Sequence, residues 1–423
     1  MRGSPSFLPS DSMEFGSALW MLASYLSLAA LFVLLAWGIY YDITRTYVPT
    51  DIQQYAKLRF FNFLSKYAVG LGMAYERLGI CQRYTVWRIM FNGIPLLKKS
   101  SALIIKDLLF DDVPVRVYWP KTSSSGNRRG MIYLHGGVGL FGSIKAYERV
   151  NRYISRRSDS VVVCVGFRLA PENPFPLPVL DCCTATIHFL KNATKYGVDP
   201  NRIAVCGDSS GGTFAAAVCQ HLATKKDLPK LRAQLLIYPF LQAVDFNLPS
   251  YQQNHSIPVL FKKRAIKWGA TYLTGRIVNV DGLMKNAHVP QDLQVKYKKW
   301  VSADHIPDEF KARGYVPLEP APFCEELYES CKEGFHPMFS PLLAEEDVIR
   351  QLPETFLLTC EYDVVRDDGL LYKKRLEDNG VPVTWHHVKD GFHGILFLID
   401  FGPLEFKCTR QHFRYVINFL KCL

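Results

Sequence analysis

Ser209 lies in the run Gly207-Asp208-Ser209-Ser210-Gly211-Gly212, with the apolar residues Ile203 to Cys206 before it and a helix-like stretch, Thr213 to Leu222, after it. A serine held among glycines where a strand turns sharply into a helix is a candidate nucleophile, because small neighbours let the backbone approach and leave the hydroxyl exposed. The same residues also fit a plain glycine-rich turn. A hydroxyl attacks only when a base takes its proton and a third group orients that base, so its partners decide between the two.

In folds that carry such an elbow, the acid and then the base follow the serine along the chain, each on the loop after a strand. Cys360-Glu361-Tyr362-Asp363 follows the apolar run Thr355 to Thr359, which places Asp363 at a strand's carboxyl end. Glu361 is a neighbouring acid, while Asp367 and Asp368 suit a helix's first turn, where negative charge favours the dipole. Asp390-Gly391-Phe392-His393-Gly394 follows the last strand pattern. His386 and His387 fall inside that pattern, whereas His393 is bracketed by glycines on a loop free to reach the serine. Acyl transfer also needs N–H donors aimed at the developing oxyanion, each worth about 100- to 1000-fold in rate. His135-Gly136-Gly137, after the strand-like Met131 to Leu134, is expected to supply the amides of Gly136 and Gly137, with Ser210 as the third donor.

Those loops need a scaffold. Short β-rich runs at Ala102–Phe110, Val113–Trp119, Gly130–His135, Ser160–Phe167, Ile203–Cys206, Arg232–Tyr238, Thr355–Cys360 and Val381–Val388 predict eight strands. Helical patterns at Ile144–Arg157, Val179–Tyr196, Ser210–Thr224, Asp367–Asn379 and Thr409–Leu420 alternate with them, which implies a mostly parallel sheet covered on both faces. The long aromatic-rich interval between Tyr238 and Thr355 is read as a helical insertion, since a structureless loop of that length does not suit a compact domain. The expected organisation is a tail over 1–16, a transmembrane anchor over 17–41, a helical cap part over 42–100, and an α/β domain over 101–423 with a cap insertion at about 243–335.

From Phe15 to Tyr41 no residue carries a charge, and a bilayer-spanning helix needs about 20 apolar residues. A cleaved signal peptide would have a basic start and a shorter apolar run; here Arg2 is the only early base. Arg45, Lys57 and Arg59 after the segment favour a cytoplasmic body by the positive-inside rule. The sequons Asn192-Ala193-Thr194 and Asn254-His255-Ser256 favour a lumenal body with glycans on Asn192 and Asn254.

The chain has 423 residues, 48% of them hydrophobic, with a net charge of +11. Its Lys and Arg are dispersed, denser only at Lys262–Lys267 and Lys296–Lys299, and no nucleic-acid fold signature accompanies them, so they read as a solvated face, with an anionic membrane surface as a reasonable partner. The eleven cysteines show neither a disulfide framework nor metal-ligand spacing.

His135-Gly136-Gly137, Phe167-Arg168-Leu169-Ala170-Pro171-Glu172 with Asp181, Gly-Asp-Ser-Ser-Gly-Gly and the Asp363 and His393 loops resemble the hormone-sensitive-lipase branch of the α/β-hydrolases. With the N-terminal anchor they look most like the arylacetamide deacetylase-like family, over roughly residues 15–423. The resemblance implies the α/β-hydrolase fold and a serine esterase or amide deacetylase acting on small apolar substrates without metal or cofactor. It also implies a type II anchor with the body in the endoplasmic reticulum lumen. Two positions depart from the pattern: Val138 replaces a third small residue, narrowing the space beside the oxyanion, and Ser210 replaces alanine. The competing expectation is a non-catalytic ligand-binding protein on the same fold, and a third is a basic membrane-surface scaffold.

Overall fold

The computed structural model describes residues 11–92, 102–124 and 126–423, with side chains from residue 20 onward. Arg2, the tail up to residue 10 and the domain junction placed at residue 100 lie outside the described residues.

Helix α1 (Asp11–Arg45) is followed by α2 (Tyr55–Arg77) and α3 (Arg83–Asn92). The α/β body then runs β1 (Leu103–Phe110), β2 (Val113–Pro120), β3 (Arg128–Leu134), α4 (Glu148–Ser158), β4 (Val161–Val165), α5 (Leu177–Asn192), β5 (Val198–Asp208), α6 (Ser210–Ala223) and β6 (Ala233–Ile237). Five helices interrupt it: α7 (Pro249–Gln253), α8 (Lys262–Thr274), α9 (Gln291–Lys298), α10 (Glu325–Cys331) and α11 (Glu346–Ile349). It closes with β7 (Glu354–Tyr362), α12 (Arg366–Asp378), β8 (Val383–Phe392) and α13 (Thr409–Lys421).

The eight strands form one sheet in the order β1-β2-β4-β3-β5-β6-β7-β8. Only β1 with β2 and β2 with β4 pair antiparallel; every other ladder is parallel. Strand β4 is buried along its whole length, as suits a strand with helices on both faces. The period of two divides its side chains: Val161, Val163 and Val165 join the core with α5 and α6, while Val162 and Cys164 join the core with α4 and α13.

Strands β3, β5, β7 and β8 all end at the same edge, and His135, Ser209, Asp363 and His393 follow their last residues. Strand β8 extends past Val388 through Phe392, which pairs with Tyr362 beyond an irregularity in the ladder. That late pairing holds Asp390 to Phe392 in the sheet and leaves His393 as the first residue off it.

Candidate active site

Ser209 occupies the turn between β5 and α6 with φ 55° and ψ −126°, a conformation that an L-residue holds only when its surroundings enforce it. The enforcement is close packing. A Cβ on Gly211 would lie 2.0 Å from the carbonyl oxygen of Leu134, so only glycine lets the first turn of α6 pass beneath β3. The Ser209 amide donates to the Ile237 carbonyl at 2.9 Å, tying the elbow to β6.

The structure brings Ser209, His393 and Asp363 together. Ser209 Oγ lies 2.8 Å from His393 Nε2, and His393 Nδ1 lies 2.7 Å from Asp363 Oδ2. With Nδ1–H donating to the carboxylate, Nε2 is left as the acceptor facing the serine hydroxyl. Asp363 Oδ1 accepts from the Val365 amide at 3.0 Å. Glu361 instead engages Arg313, Arg366 and His387. His386 lies against Tyr415 and His412, and His387 meets Thr359; neither touches Ser209.

Asp367 and Asp368 do stand in the first turn of α12, and both are fully buried. Asp367 accepts from the Ser250 amide and Arg366, and Asp368 from the Leu241 amide, Gln242 and Tyr251, so the pair fastens α12 to the cap. Burial pushes the Asp368 carboxyl up to about 8.

The Gly136 amide does not face the nucleophile. It donates to Asp208 Oδ1 at 3.0 Å and to Tyr147 Oη at 3.1 Å, so it is removed from the set of oxyanion donors. Gly137, at φ 117°, turns the chain, and Val138, at φ 57°, borders the cavity with Ser209 and Ser210. The Ser210 amide opens α6, where the first N–H groups have no partner inside the helix. His135 braces the loop from behind: its ring stacks on Phe167 at 4.1 Å, Nδ1 lies 2.9 Å from the Gly136 carbonyl, and burial lowers its pKa to about 4.

Asn254 is completely buried, and its side-chain amide donates to the backbone carbonyls of Glu361 at 3.0 Å and Asp363 at 2.8 Å. A glycan on that nitrogen is incompatible with the fold. The residue instead supports the loop that carries Asp363. Asn192 ends α5 half-buried, donating to the His188 carbonyl.

Asp208 is a site residue whose role the sequence motif does not reveal. Its buried carboxylate accepts from Tyr133 Oη at 2.9 Å, Tyr147 Oη at 2.9 Å and the Gly136 amide. Burial raises its pKa, and those three donors oppose the rise. The available signal is an acid closing the uncharged run Ile203–Gly207 at the end of β5. Arg88 of α3 was missed as well: it pairs with Glu172 and donates to the Leu140 and Ala170 carbonyls, fastening the N-terminal cap to the loop after His135.

Ser209 and His393 open into a cavity walled by Phe240, Leu260, Ile266, Leu273 and Phe339, with no Asp, Glu, Lys or Arg side chain in its lining. Helix α8 and the cap insertion form much of that wall. Asp390, Cys408 and His412 form a separate group whose ligand-type atoms lie within 4.8 Å of one another.

Residues 131–296 and 296–397 match a family model described as an alpha/beta hydrolase fold. Human arylacetamide deacetylase-like 4 is 43% identical, covering 91% of this chain and 94% of its own, and bovine arylacetamide deacetylase is 36% identical, covering 94% and 99%. Among solved structures, an esterase from Pseudomonas putida ECU1011 superposes with a TM-score of 0.60 at 22% identity, covering 84% of this chain and 96% of that one. Carboxyl esterase 2 from Tuber melanosporum superposes with a TM-score of 0.59 at 20% identity, covering 78% and 89%; both likenesses are of fold.

Proposed function

This chain belongs to the arylacetamide deacetylase family of α/β-hydrolases, and from that premise we propose that it cleaves carboxylic esters or acetylated amides of apolar compounds through an acyl-enzyme formed on Ser209. The carrying observation is the continuous chain Ser209–His393–Asp363, with contacts of 2.8 and 2.7 Å, at the mouth of an apolar cavity. As Ser209 Oγ bonds to the acyl carbon, His393 Nε2 takes the hydroxyl proton, and Asp363 steadies the imidazolium. The carbonyl oxygen becomes an oxyanion facing the amides of Gly137, Val138 and Ser210, the last favoured by the α6 dipole. The tetrahedral centre collapses and expels the alcohol or amine, which takes the proton from His393. Water, activated by the same imidazole, attacks the acyl group and restores the serine. These residues hold and move every proton in the cycle.

The apolar helix from Trp20 to Arg45, none of whose most apolar window packs inside the protein, supports a membrane anchor. Family membership supports a type II arrangement with the body in the endoplasmic reticulum lumen, where Asn192 would be the glycan acceptor. The test is labelling of the full-length protein by a fluorophosphonate. Ser209→Ala is expected to abolish labelling; persistence of the label in that variant overturns the assignment.

A further inference from the structure

Helix α2 is inside out for a protein in water. Its buried stripe is Leu58, Asn62, Ser65, Ala68 and Gly72, while its exposed stripe is Phe60, Leu64, Tyr67, Leu71 and Tyr75. The spacings of three and four residues put each set on one helix face, and the larger apolar side chains occupy the outer one. The inner face is small for a reason: a Cβ on Gly72 would lie 2.3 Å from the Arg83 carbonyl oxygen, so α3 packs directly against the α2 backbone. After α2, Leu78 (71% exposed), Ile80 (64%) and Ile89 (68%) are exposed as well. So many exposed large apolar side chains in one segment mark a contact with another apolar phase.

We propose that the outer face of α2–α3 is embedded in the lipid leaflet that α1 crosses, so that the enzyme draws bilayer-dissolved apolar esters into its cavity. The inference rests on the hydrolase and anchor assignments above and adds the lipid surface as the partner of a second element.

Continuity with α1 selects lipid as the occupant. Leu34, Leu35 and Ile39 of α1 share a groove with Phe63, Tyr67 and Leu71 of α2, so the outer stripe runs into the spanning helix. Asn62 donates to Thr46 and Arg59 to the Thr46 carbonyl, setting the angle between the helices. Charge agrees with this choice. A second groove, between α2–α3 and α8, is lined by Arg83, Lys263, Arg264 and Lys267 beside Met73 and Trp268; Arg83 pairs with Glu76 and Lys263 with Asp281, which leaves Arg264 and Lys267 as its cations without a carboxylate partner among the described residues. Basic residues flanking an apolar face suit anionic headgroups. Helix α8 joins the two regions: Lys263, Lys267 and Trp268 face this groove, whereas Ile266, Gly269 and Leu273 wall the catalytic cavity. One helix thus separates the lipid-facing groove from the chamber that holds Ser209.

The test uses the full chain in phosphatidylcholine–phosphatidylserine vesicles. The combined variant Leu71→Asp, Leu78→Asp and Ile89→Asp should hydrolyse a water-soluble short-chain ester at the parental rate but a long-chain ester dissolved in the same vesicles about tenfold more slowly. Val295→Asp, an exposed apolar position on α9, should change neither. Equal losses on both esters, or no loss on either, overturn the proposal. In Leu78→Cys, with Cys81, Cys324, Cys408 and Cys422 changed to serine, an attached nitrobenzoxadiazole should be quenched by acyl-chain nitroxide lipids and shielded from aqueous iodide. Iodide quenching, or cross-linking between copies at Leu78→Cys without lipid quenching, gives this face to water or to a second copy. Extraction of the parent protein by alkaline carbonate would instead defeat the anchor assignment, and absence of soluble-ester turnover in the parent would defeat the hydrolase assignment.

Discussion

The Gly136 amide donates to Asp208 Oδ1 at 3.0 Å, a bond that fastens the loop after β3 to the residue immediately before the nucleophile. Two pieces of the proposed oxyanion site that are far apart in sequence are thereby held at a fixed separation. Asp208→Ala should lower kcat about 100-fold, the scale of losing one oxyanion donor, with a smaller change in KM. Asp208→Asn, which retains an oxygen acceptor for Gly136 and Tyr133, should restore most of the rate. Equal rates for the two variants would mean that the bond does not position the loop.

Asp363→Asn should lower kcat about 10⁴-fold while leaving the fold intact, because an amide no longer selects the productive imidazole tautomer. Steady-state kinetics beside a thermal melt would check this. A loss under tenfold would move the orienting role to another group.

Val138 holds a positive φ of 57° at the cavity wall, a region disfavoured for β-branched residues. Val138→Gly relieves that conformation and clears three side-chain carbons beside the nucleophile. Its kcat/KM for esters with branched or aryl groups next to the carbonyl should rise about tenfold relative to that for an acetate of a linear alcohol, the scale of a few methylenes in a pocket. An unchanged ratio would show that Val138 does not limit access.

Asn254 provides a test on cells as well as on activity. Asn192→Gln should remove any glycosidase-sensitive shift on a gel, and Asn254→Gln should leave that shift unaltered. Asn254→Ala should lower kcat and the melting temperature together, since two backbone carbonyls of the Asp363 loop lose their donor and an unmet buried polar group is destabilising by about 1–3 kcal/mol.

Burial lowers the pKa values of His135 and His288 to about 4. In the unfolded chain each imidazole binds a proton below about 6.5, while the folded chain refuses it until about 4. Their stabilising contribution is therefore complete above the unfolded value and is lost as pH falls through that window, at up to ~1.4 kcal/mol per pH unit for each histidine. Asp368, its carboxyl raised to about 8, has the opposite slope in the same window, so a histidine's share is read as the difference in denaturant midpoint between detergent-solubilised parent and variant across it. His288→Gln, which keeps a donor for the Ala243 carbonyl, should remove one histidine's share; an unchanged slope would place the titration elsewhere.

Much of the architecture was legible because its signals are local. Apolar runs of strand length alternating with helical periodicity were enough to count eight strands, and Ser209, Asp363 and His393 could be selected by chain order and by the punctuation of glycine around them. Signals that depend on the opposite surface were not legible. Asn254 reads as a sequon in isolation, yet burial turns its amide into a brace. Asp367 and Asp368 read as helix-start charges, and only the cap folding over them shows that they are enclosed. The outward Phe60, Leu64 and Tyr67 are equally apolar whether they face a core or a bilayer.

By itself the sequence determined the order of elements, the apolar N-terminal helix and the choice of Ser209, His393 and Asp363 as candidate nucleophile, base and acid, because each follows from residue type, spacing and position after a strand. Tertiary structure alone decided which backbone amides remain free near Ser209. Hydrogen bonding is exclusive: the Gly136 N–H that turns to Asp208 and Tyr147 is unavailable to an oxyanion, and no spacing rule records which way it turns. The cavity walls and the outward face of α2 were settled in the same way, by what packs against what across long separations in the chain.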